Sequence, residues 1–106
     1  MTKHGSSRHA DIVAVILALV EGEVVSYGDI ADAAGHHGQS RLVGRVLADG
    51  SDSLDLPWWR VVNSQGRLVP GAEDEQAFLL RAEGVEIRGG GAAARVARSP
   101  RGRFAR

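Results

Sequence analysis

Ser26-Tyr27-Gly28-Asp29-Ile30-Ala31-Asp32-Ala33-Ala34-Gly35-His36-His37-Gly38-Gln39-Ser40-Arg41-Leu42-Val43-Gly44-Arg45-Val46-Leu47-Ala48-Asp49-Gly50 is the stretch that decides the fold. Ser26 has the character of an N-cap, with Asp29 at the position where a capping box carries Glu or Gln. The helix it opens is expected over Tyr27 to Ala34, ending at Gly35. His36 to Gln39 reads as a turn. Ser40 reads as a second cap, opening a helix from Arg41 to about Ala48 that Asp49-Gly50 break. Two short helices across a glycine-bearing turn make a helix-turn-helix. At about 100° per residue, Leu42, Val43, Val46 and Leu47 share one side of the second helix. Arg41, Gly44, Arg45 and Ala48 share the other. The first side is a core face. The second sets two guanidiniums among minimal side chains, which suits close approach to a phosphate backbone with arginines in a groove. The plainer alternative is a solvated helix face.

Working outward, Ile12, Val15, Ile16, Leu19 and Val20 fall at i, i+3, i+4, i+7 and i+8. They predict a helix from about Ser6 to Glu21, stopped by Gly22. Val24-Val25 follows as a short extended piece. Beyond the helix-turn-helix lies an acidic loop, Asp49 to Asp55. Pro57-Trp58-Trp59-Arg60-Val61-Val62, the turn Asn63-Ser64-Gln65-Gly66 and the return Arg67-Leu68-Val69 read as a hairpin, the wing of a winged helix. After Pro70-Gly71, a helix is expected over Glu73 to Ala82, its acids in the first turn where the macrodipole favours them. Phe78 and Leu79 are expected to face the core, with Leu80 and Ala82 near its margin. Val85-Glu86-Ile87 closes the pattern as an extended piece. The expected fold is mainly α with a small β wing, a winged helix-turn-helix over residues 1–87.

Composition bounds the function. The 106 residues suit one domain, and 43% hydrophobic with 25% charged residues supports a packed core. The longest apolar run, Ile12 to Val20, ends at Glu21, too short for a membrane span. Met1 to Gly5 lacks the apolar core of a secretory signal, so the expected compartment is the cytoplasm, on the nucleoid in a bacterial cell. Cysteine is absent, which removes disulfides, thiolate metal sites and a cysteine nucleophile. The zero net charge is uneven: residues 88–106 carry six arginines and no acid, leaving residues 1–87 at about −6. Among Gly, Ala, Ser and Pro, these arginines read as a disordered basic tail, either an arm for a polyanion or a solubilising extension.

Adjacent Trp58 and Trp59 point to opposite sides in extended chain. Either both fill the core of a domain short of aromatics, or one is offered to a cleft, where an indole stacks on a nucleobase. Tyr27, at the mouth of the helix-turn-helix, either bonds a phosphate or packs half-buried. His4, His9, His36 and His37 match no helical ligand pair, and no carboxylate cluster accompanies them, so no metal is expected. Gly89-Gly90-Gly91 lacks the strand–helix setting of a phosphate loop.

Four separated strings then resemble a known family: Val25-Ser26-Tyr27-Gly28-Asp29-Ile30-Ala31, Ser40-Arg41-Leu42-Val43-Gly44, Pro57-Trp58-Trp59-Arg60-Val61-Val62-Asn63-Ser64-Gln65-Gly66 and Glu83-Gly84-Val85. In order and spacing they are similar to the DNA-binding domain of the O(6)-alkylguanine-DNA alkyltransferases, over roughly residues 8–87. The enzymes carry Pro-Cys-His-Arg-Val, and their cysteine takes the alkyl group. Trp58 stands in that cysteine's place, the mark of the alkyltransferase-like proteins, which bind alkylated guanine without repairing it and flag it for nucleotide excision repair. Two departures stand out. Trp59 occupies the usual His, which in the enzymes helps activate the thiol. The loop Arg67 to Asp74, which closes over the damaged base, is about two residues shorter than in the enzymes.

The resemblance implies a mechanism and a set of DNA- and lesion-binding residues: Tyr27, Ser40, Arg41, Gly44, Arg45, Trp58, Trp59, Arg60 and Arg67. The second helix of the motif would lie along the minor groove, Gly44 and Ala48 allowing close approach. Arg41 would enter the stack where the guanine has left, and Tyr27 would press the adjacent phosphate. The flipped base would enter a pocket lined by Trp58, Trp59 and the wing, with Arg67 in the place of a lid arginine. The expected partners are duplex DNA containing alkylated guanine and nucleotide excision repair proteins. The protein is expected to be a monomer with no catalytic residue and no cofactor. The competing expectation is a sequence-specific winged-helix regulator, which calls for a palindromic target and a dimer surface.

Overall fold

α1 (His4–Leu17), α2 (Tyr27–Ala33) and α3 (Ser40–Gly50) pack pairwise in the computed structural model, which describes residues 4–50 and 55–106. They belong to the first of two units, residues 1–19 with 27–58; the second comprises residues 20–26 with 59–106. In the first unit Ile12, Ile16, Leu19, Ile30, Ala31, Val43, Val46 and Leu47 are buried. α1 stops a turn before Glu21: the amide of Leu19 reaches the carbonyl of Ile16 at 3.1 Å, tightening the last turn, and Leu17 is left exposed. Gly35, at φ 82°, ends α2, and the amide of His36 closes back on the carbonyl of Ala31 at 2.8 Å. Ser40 is the first residue of α3 rather than its cap, and α3 runs on to Gly50. The acidic loop Asp49 to Asp55 lies largely outside the described residues.

The second unit is built on β1 (Glu23–Ser26), which lies between two parallel neighbours. β2 (Val61–Val62) pairs with it at Val25↔Val61 and Ser26↔Val62. β5 (Arg101–Gly102) pairs at Glu23↔Arg101 and Val24↔Gly102. Beside α4 (Glu73–Ala82), β3 (Glu86–Arg88) and β4 (Arg95–Arg98) form an antiparallel pair, irregular at Glu86/Ile87. Val24, Val62, Leu68, Ala77, Leu80, Val85, Ala94 and Val96 make the buried cluster of this unit, with Trp59, Ile87 and Phe104 packed against it.

Three expectations are corrected here. The wing hairpin does not pair Val61-Val62 with the return strand. Only the amide of Asn63 meets the carbonyl of Arg67, at 3.2 Å. Val61-Val62 goes to β1, and Arg67 bridges Arg95 instead. The β component is present, but its partners are distant in sequence. On α4, Gln76, Ala77 and Leu80 face inward while Phe78 is 73% exposed, so the helix is rotated from the expected face.

The third correction concerns residues 88–106, which are ordered rather than a free tail, and no boundary falls at residue 87. Ala94 and Val96 bury two short apolar side chains among the arginines, and Ser99 is buried as well. The amide of Arg103 bonds the carbonyl of Val24 at 2.9 Å, and that of Arg101 the carbonyl of Gly22 at 3.1 Å. Gly102, at φ 88°, lies so close to the backbone of Val24 that a Cβ has no room there. Among the described residues no helix is long and apolar enough to cross a membrane.

A chain ending at Ile87 tests this directly. It loses β4, β5 and the Ala94 and Val96 side chains from the cluster. Thermal unfolding is expected to shift down by more than about 10 °C, or to lose its cooperative transition. Val96→Asp in the full chain is expected to do the same by burying an unpaired charge. An unchanged midpoint for both would mean that residues 88–106 add nothing to the core.

Candidate nucleic-acid interface

In the first unit, α3 presents the split face that its sequence describes. Val43, Val46 and Leu47 are buried, Leu42 is half-buried, and Arg41, Arg45 and Ala48 are exposed. Ser40 is exposed at the start of the same helix. Between the arginines, Gly44 is helical, and a Cβ built on it would meet nothing within 4 Å. A mid-helix glycine costs about 1 kcal/mol relative to alanine. Among the described residues no internal contact requires a glycine at position 44.

Tyr27 opens α2 and is half-buried. Burial pushes its phenol pKa up. A tyrosine hydroxyl already carries its proton at physiological pH, and burial only reinforces this, so it can donate to an anionic oxygen. Trp58 is also half-buried, neither sealed in the interior nor fully open, and its amide bonds the carbonyl of Leu56 at 2.8 Å. Trp58 to Arg60 form a 3-10 turn rather than extended chain, so strand alternation does not set the directions of the two indoles. His36 Nε2 lies 2.9 Å from Asp11 Oδ2, and His37 Nδ1 lies 2.7 Å from Asp32 Oδ1. Among the described residues no group of three His, Cys, Asp or Glu side chains converges as a metal site would need.

In the second unit, Trp59 and Arg60 converge on Glu83. Trp59 Nε1 donates to Glu83 Oε2 at 2.8 Å. Arg60 donates from Nε to Oε1 at 3.0 Å and from Nη2 to Oε2 at 2.8 Å, a bidentate fork. The guanidinium also stands 5.3 Å from the centroid of the Trp59 ring. The amide of Gly22 adds a fourth hydrogen bond to Oε1 at 2.9 Å. The Arg60 and Glu83 side chains are only 15% and 10% exposed. These partners give Trp59 and Arg60 an internal task. Arg67 is exposed, and its amide is fixed by Asn63 Oδ1 at 2.8 Å.

Two residues that sequence reasoning passed over organise this unit. In the sequence Glu83 stands out only as part of the string Glu83-Gly84-Val85, with no partner assigned to it. Gln76 is fully buried: its Oε1 accepts from the amide of Val69 at 2.7 Å, and its Nε2 donates to the carbonyls of Trp59 and Val61 at 3.1 Å each. The available signal was periodicity, since Gln76 and Leu80 fall one turn apart on the inward face.

Burial pushes the Glu83 carboxyl up, but hydrogen bonds from Arg60, Gly22 and Trp59, with the Arg60 charge, outweigh it and hold the pKa below the ordinary value. A lowered folded-state pKa contributes stability above the ordinary carboxylate range, and that stability is lost as pH falls through the folded pKa. Glu83→Gln is expected to be less stable than the parent at pH 7 by about 2–3 kcal/mol, because Arg60 loses its carboxylate. The gap should narrow below about pH 4. Urea midpoints for both proteins at pH 7, 5 and 3.5 check this; a gap independent of pH would remove the carboxylate from its assigned role.

Residues 7–85 match the model of the 6-O-methylguanine DNA methyltransferase DNA-binding domain. A DNA base-flipping protein of Vibrio parahaemolyticus is 44% identical over 78 residues, which is 72% of this chain and 78% of that protein. Alkyltransferase-like protein 1 of Schizosaccharomyces pombe is 36% identical over 70 residues, 62% of this chain and 65% of the relative. Among solved structures, S. pombe Atl1 in complex with damaged DNA containing O6-carboxymethylguanine is similar with a TM-score of 0.74 and 25% identity, over 90% of each chain.

Proposed function

The chain belongs to the 6-O-methylguanine DNA methyltransferase DNA-binding-domain family, as an alkyltransferase-like protein, and we propose that it binds O6-alkylguanine in duplex DNA by base flipping and does not repair it. The observation that carries the reading is the outer face of α3. Arg41 and Arg45 flank a glycine whose missing side chain serves no internal contact. That is the surface a helix needs to lie against a groove floor with a guanidinium reaching the base stack. Arg41 occupies the gap that the extruded guanine leaves. Tyr27, held neutral, donates to the neighbouring phosphate. Flipping costs a few kcal/mol, least where alkylation has already weakened the pair. Trp58 stacks on the extruded base.

Dealkylation needs a thiolate in line with the alkyl carbon, and the chain has no cysteine. With Trp58 in the reactive position, no step converts the bound state to product. The complex is a dwell, and its lifetime marks the lesion for nucleotide excision repair proteins.

Affinity for an O6-alkylguanine duplex is expected to exceed that for the same duplex with plain guanine, as read by fluorescence anisotropy. Equal affinities, or a sequence-selected site with no lesion effect, would exclude the proposal. Trp58→Ala and Arg41→Ala are each expected to lower the lesion-to-plain ratio, by roughly 10–100-fold for Trp58 from lost stacking. Mass spectrometry after incubation should find neither alkylated protein nor altered base.

Gly44→Ala separates fold from function. It is expected to stabilise the protein by up to about 1 kcal/mol while weakening binding to both duplexes. A variant that is stabilised and binds normally would show that α3 does not approach DNA closely.

A further inference from the structure

The arginines of residues 88–106 are placed by the sheet, and their placement is unfavourable for the protein alone. Arg88 and Arg95 are directly paired across the β3–β4 ladder, and Arg95 is bridged on its other side to Arg67. Three exposed arginines therefore stand in one row across adjacent strands, spanning about 10 Å. Like charges opposite one another disfavour the pairing that holds them. Partial relief comes from Glu86, 3.2 Å from Arg88 Nε and 3.9 Å from Arg98 Nε. Among the described residues no carboxylate lies within ion-pair distance of Arg67 or Arg95.

The row borders an open groove of about 440 Å³, lined by Arg88, Arg95, Arg98 and Arg106 around Phe104, with Glu86 as its single acid. Arg106 is steadied there, its Nη2 donating to the carbonyl of Ala97 at 2.9 Å. β4 is covered along both edges, by β3 and by the Gly66–Arg67 segment, where the amide of Val96 bonds the carbonyl of Gly66 at 2.9 Å. A partner strand cannot add to β4. Recognition there runs through guanidinium groups, whose forks match phosphate oxygens.

We propose that the cross-strand row Arg67–Arg95–Arg88, continued by Arg98 and Arg106, is a second phosphate-binding surface that engages the DNA backbone outside the damaged nucleotide. This rests on the duplex-binding reading above and extends it. Residues 1–87 carry about −6, a balance that repels a polyanion. The arginines from Arg88 onward cancel it, and four of them, Arg88, Arg95, Arg98 and Arg106, concentrate positive charge around the groove beside β3 and β4. Such a surface carries no sequence or lesion information. It adds affinity for any duplex and a steep dependence on salt.

The test uses the full chain with Arg88, Arg95 and Arg98 all replaced by Gln, against the parent and a triple Arg→Lys version. Dissociation constants are measured for plain and O6-methylguanine duplexes between about 50 and 200 mM salt. The Gln variant is expected to lose about tenfold or more in affinity for both duplexes at low salt. Its slope of log K against log salt should be shallower by about 2–3, with the lesion-to-plain ratio unchanged. The Lys version should keep the parent slope. An unchanged slope in the Gln variant overturns the proposal, including the case where the groove captures an acidic peptide instead. If thermal unfolding shows the triple variant misfolded, Arg95→Gln alone decides, with an expected slope change of about 1. A parent ratio of one would defeat the lesion-sensing reading while leaving the slope to report on the row.

Discussion

The carboxylate of Glu83 is the constraint on which the second unit turns. It gathers the Gly22 amide, the Trp59 indole and both arms of the Arg60 fork. Those donors come from the loop before β1 and the turn before β2, and the accepting carboxylate stands at the end of α4, three segments far apart in sequence. A small hydrophobic cluster alone orients such short strands weakly, because β2 and β5 have only two residues each. A partly buried, fully hydrogen-bonded ion pair is directional, so it fixes where each segment ends. Gln76 adds a neutral version of the same device, tying α4 to the carbonyls of Trp59 and Val61.

This sorts the arginines into those the fold uses and those it leaves at the surface. Arg60 neutralises a carboxylate and lies against Trp59, so its charge is answered internally. Arg41 and Arg45 stand exposed on a helix whose inner face already supplies the packing. The sequence writes both kinds with the same letter, and only the local partners separate them. The indoles of Trp58 and Trp59 divide as well: Trp59 donates to Glu83 and packs on the cluster, while Trp58 stays half-buried.

The helix-turn-helix was legible because its signals are local: a 3.6-residue period, a stopping glycine and a polar turn within one stretch. The four helices fall close to where that period places them. The sheet was not legible, because Val25↔Val61 and Val24↔Gly102 join residues whose partnership no short window contains. The arginine-rich end misled for a related reason. Composition reads Arg, Gly and Ala as solvated chain, but Ala94 and Val96 need only small apolar side chains at alternate positions to join a core. Trp58, Arg41 and Gly44 are singled out by pattern and resemblance; the organising roles of Glu83 and Gln76 are not, because a buried polar side chain declares itself only through partners brought by the fold.

The central position of β1 also dictates an order of assembly. Its residues leave the ribosome before either neighbour: one arrives only with Val61 and the other only with Gly102. The three helices of the first unit meet through contacts closer in sequence and can form while the strand is still waiting. During synthesis the nascent protein therefore carries its three packed helices before the sheet is complete, with one edge of β1 unsatisfied until Gly102 emerges.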